Sequence, residues 1–179
     1  MRLQAPERIE TARLVIRRPN PPDAATIFAR YASDPAVTRY LGWPVHRSVD
    51  DTRAFLQFSD IEWKRWSVGP FLLETRDGAL IGSTGLSLET SYRASTGYVL
   101  AKDAWGRGYA TEALQTMTIL ARSMGVRRLY AICHVDHEAS WRVLEKCGFT
   151  REGILRKYAE FPNLVPGEPS DVCCYAVVM

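Results

Sequence analysis

The sequence predicts a mixed α/β domain of the α+β class, in which one sheet is flanked by helices. Three observations carry this. Apolar residues alternate with period two in several short runs, a long stretch in the middle switches to helical period, and glycine or proline punctuates almost every junction. The chain has 179 residues, 46% apolar and 24% charged, with a net charge of +3. That length supports one contiguous core without disulfide or metal staples, and the apolar content excludes a disordered chain. No apolar run reaches the roughly 18 residues that a membrane-spanning helix needs.

Taken in order, Arg13 to Arg17 reads as a first strand, stopped by Pro19, Pro21 and Pro22. Asp23 then caps a helix to about Tyr31, broken at Ser33-Asp34-Pro35 because a residue before proline avoids helical angles. A second helix begins near Ser48 to Asp51 and carries Phe55, Leu56, Phe58, Ile61 and Trp63. Seven of the nineteen aromatic residues fall between positions 40 and 71, a density that either lines a pocket or builds core. Three strands follow, Val68 to Thr75, Ala79 to Leu88 and Ala94 to Ala101, the first two joined by the tight turn Arg76-Asp77-Gly78. Gly108 to Met124 forms an amphipathic helix closed by Gly125. A strand at Arg128 to His134, a helix from His137 to Lys146 closed by Gly148, and strands at Phe149 to Tyr158 and Val172 to Val178 complete the chain. No repeat or linker divides it, so a single domain over residues 1–179 is expected.

The segment from Tyr98 to Ala113 carries the chemistry. A strand runs into a loop containing Gly106 and Gly108, and the loop opens directly into the long helix. Glycines let a ligand approach the backbone, unpaired N–H groups cluster at the helix start, and the aligned peptide dipoles add roughly half a positive charge there. Arg107 adds a charge-assisted donor. A phosphate-bearing ligand suits this site, although the loop lacks the third glycine of a dinucleotide fingerprint and the Lys-Ser/Thr of a P-loop.

This segment resembles the acyl-coenzyme A pyrophosphate loop of the GNAT N-acetyltransferases, in particular the RimJ/RimL-like branch that acetylates ribosomal-protein N-termini. Three further stretches are similar to that branch in the same order: Thr11 to Arg17, Leu80 to Leu86, and Ser140-Trp141-Arg142-Val143-Leu144-Glu145-Lys146-Cys147-Gly148-Phe149. The likeness spans about residues 9 to 178. It implies the GNAT fold, a mostly antiparallel seven-stranded sheet with about four helices, splayed between the fourth and fifth strands. It also implies direct transfer of an acetyl group from acetyl-coenzyme A to a primary amine, either a protein N-terminus or a small molecule. The alternative is a non-catalytic acyl-coenzyme A-binding sensor or scaffold.

Carried over by the resemblance, backbone groups of Tyr98, Val99 and Leu100 would hold the pantetheine, and the N–H of Val99 would face the developing oxyanion. Gly106, Arg107, Gly108, Tyr109 and Ala110 would cradle the pyrophosphate. Ser140 would protonate the leaving thiolate or, alternatively, serve only at the helix start. His137 stands where the family usually has Asn, as a cofactor contact or a base, and Ser95 stands where many relatives carry a glutamate base. Asp103 would face away from the phosphates and Glu112 would be structural. Glu74 and Asp171 are candidates to face the acceptor, and Tyr158 to Ser170 a candidate flexible lid.

No metal is expected: Cys133, His134 and His137 are close in sequence, but no second ligand set accompanies them. No Lys/Arg run exceeds two residues, which argues against a nucleic-acid partner. The stretch Met1 to Glu10 carries charges and a proline where a secretion signal needs an apolar block, so a cytoplasmic protein without a membrane partner, monomeric or homodimeric, is expected.

Overall fold

The computed structural model describes residues 4–179, so Met1 to Leu3 of the charged N-terminal stretch lie outside the described residues. Among these residues eight strands form one sheet: β1 (Arg8–Glu10), β2 (Leu14–Arg17), β3 (Pro70–Thr75), β4 (Leu80–Leu88), β5 (Arg93–Leu100), β6 (Arg128–His134), β7 (Thr150–Glu160) and β8 (Pro169–Val178). The order across the sheet is β1-β2-β3-β4-β5-β6-β8-β7, and only the β5·β6 pair is parallel. The sequence reading expected seven strands. The eighth, β1, has three residues of which only Ile9 turns inward, too short a run to show an alternation.

Among the described residues five helices accompany the sheet: α1 (Ala24–Ile27), α2 (Pro35–Thr38), α3 (Val49–Trp66), α4 (Tyr109–Ser123) and α5 (Glu138–Lys146). The expected first helix is a composite, with a tight 3-10 turn at Pro21–Asp23, α1, and a wide turn at Phe28–Ala32. Helix α2 begins at Pro35, where the sequence suggested only a break. The Asp34 carboxylate accepts from Ala36 N–H at 2.8 Å and turns the break into a cap. Helix α3 starts with a capping box between Ser48 and Asp51 and ends at Ser67 in the left-handed conformation.

The helices bury opposite faces of the sheet. Leu114, Met117, Ala121 and Leu144 from α4 and α5 pack with Phe71, Leu73 and Leu129 in the larger core. Ile27, Tyr31, Val37 and Leu56 pack with Leu72 and Leu80 in the smaller one. Among the described residues, no helix is long and apolar enough to cross a membrane.

Candidate active site

The site begins where the sheet comes apart. Strands β5 and β6 pair only over Arg93–Ser95 against Arg128–Tyr130. Beyond that point β5 stays with β4, β6 stays with β8, and a gap opens between residues 96–100 and 131–134. This is the splay expected between the fourth and fifth strands, which become β5 and β6 once β1 is counted.

Strand geometry decides which backbone groups face the gap. Arg93 C=O accepts from Glu89 N–H at 3.0 Å and Ala101 N–H donates to Ile81 C=O at 2.8 Å, both on the β4 side, whereas Tyr92 C=O accepts from Arg127 N–H at 2.8 Å on the β6 side. Successive residues of a strand turn their backbone groups to opposite neighbours, so Val99 faces β4, and Tyr98 and Leu100 face the gap. The Val99 carbonyl approaches β4 so closely that a Cβ on Gly82 would lie 2.1 Å from it. The expected oxyanion donor at Val99 is therefore corrected, because its N–H is turned into the ladder. Of the two neighbours, Leu100 has its carbonyl already occupied by the Trp105 indole N–H at 2.8 Å.

A cavity of about 410 Å³ occupies the gap and brings together Tyr98, Val99, His137 and Ser140. Tyr98 spans it: its hydroxyl donates to the Ser140 carbonyl at 2.7 Å and lies 3.2 Å from Ser140 Oγ. Burial pushes the Tyr98 hydroxyl pKa above its ordinary value, so it remains a proton donor at neutral pH. The Cys133 thiol lies beside the same serine, and burial pushes its pKa up to about 12. A thiol so held is a poor nucleophile and serves as wall.

His137 stands at the N-terminal boundary of α5, its ring stacked on Tyr40 at 4.7 Å between centroids. Burial, with a smaller contribution from His134, lowers its pKa below the usual histidine value and keeps the ring neutral at pH 7. His134 lies against the same Tyr40 ring at 5.2 Å between centroids, with its Nδ1 accepting from Asp136 N–H at 3.1 Å and its ring edge-on to Phe161. Among the described residues no three His, Cys, Asp or Glu side chains gather to hold a metal ion.

The remaining expected residues form a second, adjoining end of the site. Gly106, Arg107, Gly108, Tyr109 and Ala110 do not line the cavity, and neither does Leu100, which is buried. Gly106 (φ 71°) and Gly108 (φ 78°) are both left-handed, and α4 starts directly after the second. The first N–H groups of that helix lack intrahelical partners and suit an anion.

Arg13 locks this loop from below. Its guanidinium donates to the Arg107 carbonyl and to Glu112, both at 2.7 Å, and lies 4.7 Å from the Tyr109 ring centroid. Glu112 also accepts from Thr11 Oγ1 at 2.6 Å and Arg13 N–H at 3.0 Å, and these bonds outweigh burial and lower its pKa. Its role is to join α4 to the turn before β2. Asp103 is drawn away by a two-pronged contact with Arg30, each bond 3.0 Å. Among the described residues the Arg107 side chain has no partner and remains available to a ligand.

The other side of the cavity is aromatic. Tyr40, Trp43, Phe55, Phe58 and Phe161 line the cavity, whereas Trp63 and Phe71 are buried in the core, so the aromatic cluster divides between both sequence readings. Glu74 and Asp171 are corrected as acceptor-facing candidates: Glu74 binds Arg17 at 2.7 Å, and Asp171 accepts from Lys157 N–H at 2.9 Å. Two carboxylates that the sequence did not single out, Glu62 and Glu160, line the cavity in their place. The stretch after Tyr158 is pinned rather than loose. Asn163 accepts from Val45 N–H at 2.8 Å and donates to the carbonyls of Thr38 and Trp43 at 2.7 and 2.9 Å.

A sheet that parts between two parallel strands, beside a glycine loop at a helix start, is the architecture of the acyltransferase class. The acetyltransferase (GNAT) domain model matches residues 13–150, and the chain belongs to this family of N-acetyltransferases. YoaA of Bacillus subtilis, an uncharacterised N-acetyltransferase, is 33% identical over 95% of this chain and 96% of its own. Among solved structures, a GNAT-family acetyltransferase from Bacillus anthracis superposes with a TM-score of 0.81 at 28% identity, covering 96% of this chain and 98% of that one. The ribosomal-protein α-N-acetyltransferase RimL, in complex with coenzyme A, superposes with a TM-score of 0.84 at 25% identity, covering 97% and 98%. As a family member the chain transfers an acetyl group from acetyl-coenzyme A to an amine.

Proposed function

We propose that this enzyme acetylates a primary amine by direct attack on acetyl-coenzyme A, with both substrates bound together. The observation that carries the reading is the gap between β5 and β6, which connects an anion-binding loop at one end to an aromatic, carboxylate-bearing cavity at the other. The phosphates lie on Gly106 to Ala110 with Arg107 reaching over them, and the pantetheine runs along Tyr98 to Leu100.

The amine enters past Tyr40 and Trp43 as its ammonium form, gives a proton to Glu160 or to water, and the neutral nitrogen then attacks the thioester carbon. Negative charge moves to the carbonyl oxygen, which accepts a hydrogen bond from the N–H of Tyr98 or Leu100. A preorganised donor of this kind lowers a barrier by about 3 kcal/mol. The carbon–sulfur bond then breaks with the Ser140 hydroxyl hydrogen-bonded to the leaving thiolate, which takes its proton through Ser140 as the serine regains one from water. The proton released by the new amide nitrogen passes to water. His137, neutral and stacked on Tyr40, shapes the wall between donor and acceptor.

The acceptor is either a protein N-terminus, as the name of RimL implies for that enzyme, or a small-molecule amine. One chain carries every residue of the site, so a single unit over about residues 9–178 suffices, as monomer or homodimer. Four free cysteines support a cytoplasmic setting, where thiols stay reduced. The test is release of free coenzyme A thiol from acetyl-coenzyme A against a panel of amines. Turnover with at least one amine is expected, and binding of the donor without turnover on any of them would overturn the proposal.

A further inference from the structure

We infer that the acceptor carries a second positive charge, held by Glu62 while the reacting amine lies near Glu160. This rests on the amine-acetylation reading above and adds the class of amine. Its basis is the distribution of carboxylates. Among the described residues every Asp and Glu has a hydrogen-bond or charge partner except Glu62, Glu160 and Glu168. Two of these three line the acceptor cavity, and no Lys or Arg does. Glu168 sits on the outer turn before β8.

Helix α3 makes the contrast plain. Its Asp50 is paired with Arg53, and Asp60 with Lys64 and Arg18, while Glu62, two residues after Asp60, is left for the cavity. A partly buried carboxylate without a counter-charge is costly, and a bound cation removes that cost.

The two carboxylates sit at different levels of the gap. The Cβ of Glu62 lies 3.3 Å from where a Cβ on Gly69 would stand, at the head of β3, and the rungs there join Pro70 to Gly85 and Gly85 to Gly97. Gly97 is two residues past the last β5·β6 pair, so Glu62 lies toward the closed end. Glu160 ends β7 opposite Pro169, three residues beyond the Val172 that pairs with His134, and so lies toward the open end, lining the cavity together with His137. Tyr40, Trp43, Phe55 and Phe58 line the same cavity, and aromatic rings suit a methylene chain or a cation. A monoamine satisfies one carboxylate and leaves the other bare, whereas a dication satisfies both. The matching chemistry is an α,ω-diamine, or a polypeptide N-terminus followed closely by a basic side chain.

The experiment compares kcat/KM for α,ω-diamines of three to eight carbons with monoamines of equal length. A parallel arm uses short peptides with Lys or norleucine at the second or third position. The wild-type enzyme is expected to favour the dication at least tenfold in one arm or both, and the arm that responds identifies the source. In Glu62→Gln this advantage falls below threefold, and Glu62→Lys reverses it. Thermal melting within two degrees of wild type ties the change to the site. Equal use of monocations and dications in both arms, or a preference that survives Glu62→Gln, would overturn the inference while leaving amine acetylation standing. Absence of turnover with every amine, despite acetyl-coenzyme A binding by calorimetry, removes both.

Discussion

At the residue scale the cavity separates groups that move protons from groups that hold shape. Ser140 Oγ is the hydroxyl proposed to meet the leaving sulfur, and Tyr98 holds the helix turn that carries it. Ser140→Ala is expected to lower kcat about tenfold or more in single-turnover thiol release; a change under twofold would leave Ser140 a purely structural role. His137 gives a pH prediction with a definite sign. Its folded pKa is below the unfolded value near 6.5, so the folded state binds fewer protons between the two values. The resulting penalty on folding is absent above the unfolded pKa and grows as pH falls through that window. An NMR titration should place the His137 pKa below 6.5, and kcat/KM should show no inflection from it above pH 7. Ser140 and His137 were legible in the sequence because the Ser140 to Phe149 signature is continuous. Glu62 and Glu160 were not, because a free carboxylate is recognised only once the partners of all the others are known.

At the element scale the informative unit is the strand, loop and helix from β5 to α4, together with what holds it. The strand-to-loop-to-helix order can be read locally, since period, glycine and period follow one another along the chain. The clamp cannot, because Arg13 is remote in sequence from the Arg107 carbonyl it binds. Gly108→Ala must adopt φ 78° and meet Arg13 Nη2 at 3.4 Å, a strain of about 1 kcal/mol in the free loop before any ligand is bound. Its expected signature is a several-fold rise in KM for acetyl-coenzyme A, with a smaller effect on the acceptor KM. Asn163→Ala should give the converse. It removes three hydrogen bonds that join the turn after β7 to the segment bearing Tyr40 and Trp43, so acceptor KM rises several-fold while calorimetric binding of acetyl-coenzyme A stays close to wild type.

At the scale of the whole molecule, the far half of the sheet is secured by charge. Arg17 on β2 donates to Asp23 and Glu74, and all three side chains are 15–20% exposed. Arg17→Ala leaves two partly buried carboxylates without a cation and should cost about 3 kcal/mol in urea unfolding. Burial alone would raise the pKa of Asp23, but its bonds from Arg17 and Asn20 N–H outweigh this and lower it. The stability it contributes is therefore present above the unfolded value near 3.8 and is lost as pH falls from there through the folded pKa. The fold class and seven of eight strands could be read from alternation and turns. The parting of β5 from β6 is implied by the family resemblance and not by alternation or turns, since it depends on each strand keeping its other neighbour.

That parting divides the sheet into two plates, β1 to β5 on one side and β6, β8 and β7 on the other, joined in the ladder by three residue pairs. A coenzyme laid in the gap would serve as a cross-brace, adding on the open side the rungs that the ladder lacks. Saturating coenzyme A at one hundred times its Kd stabilises the folded state by about 2.7 kcal/mol through mass action alone. The protection should be uneven: amide exchange at Tyr98 and Leu100 slows on binding, whereas Val99, already bonded within its own plate, changes far less.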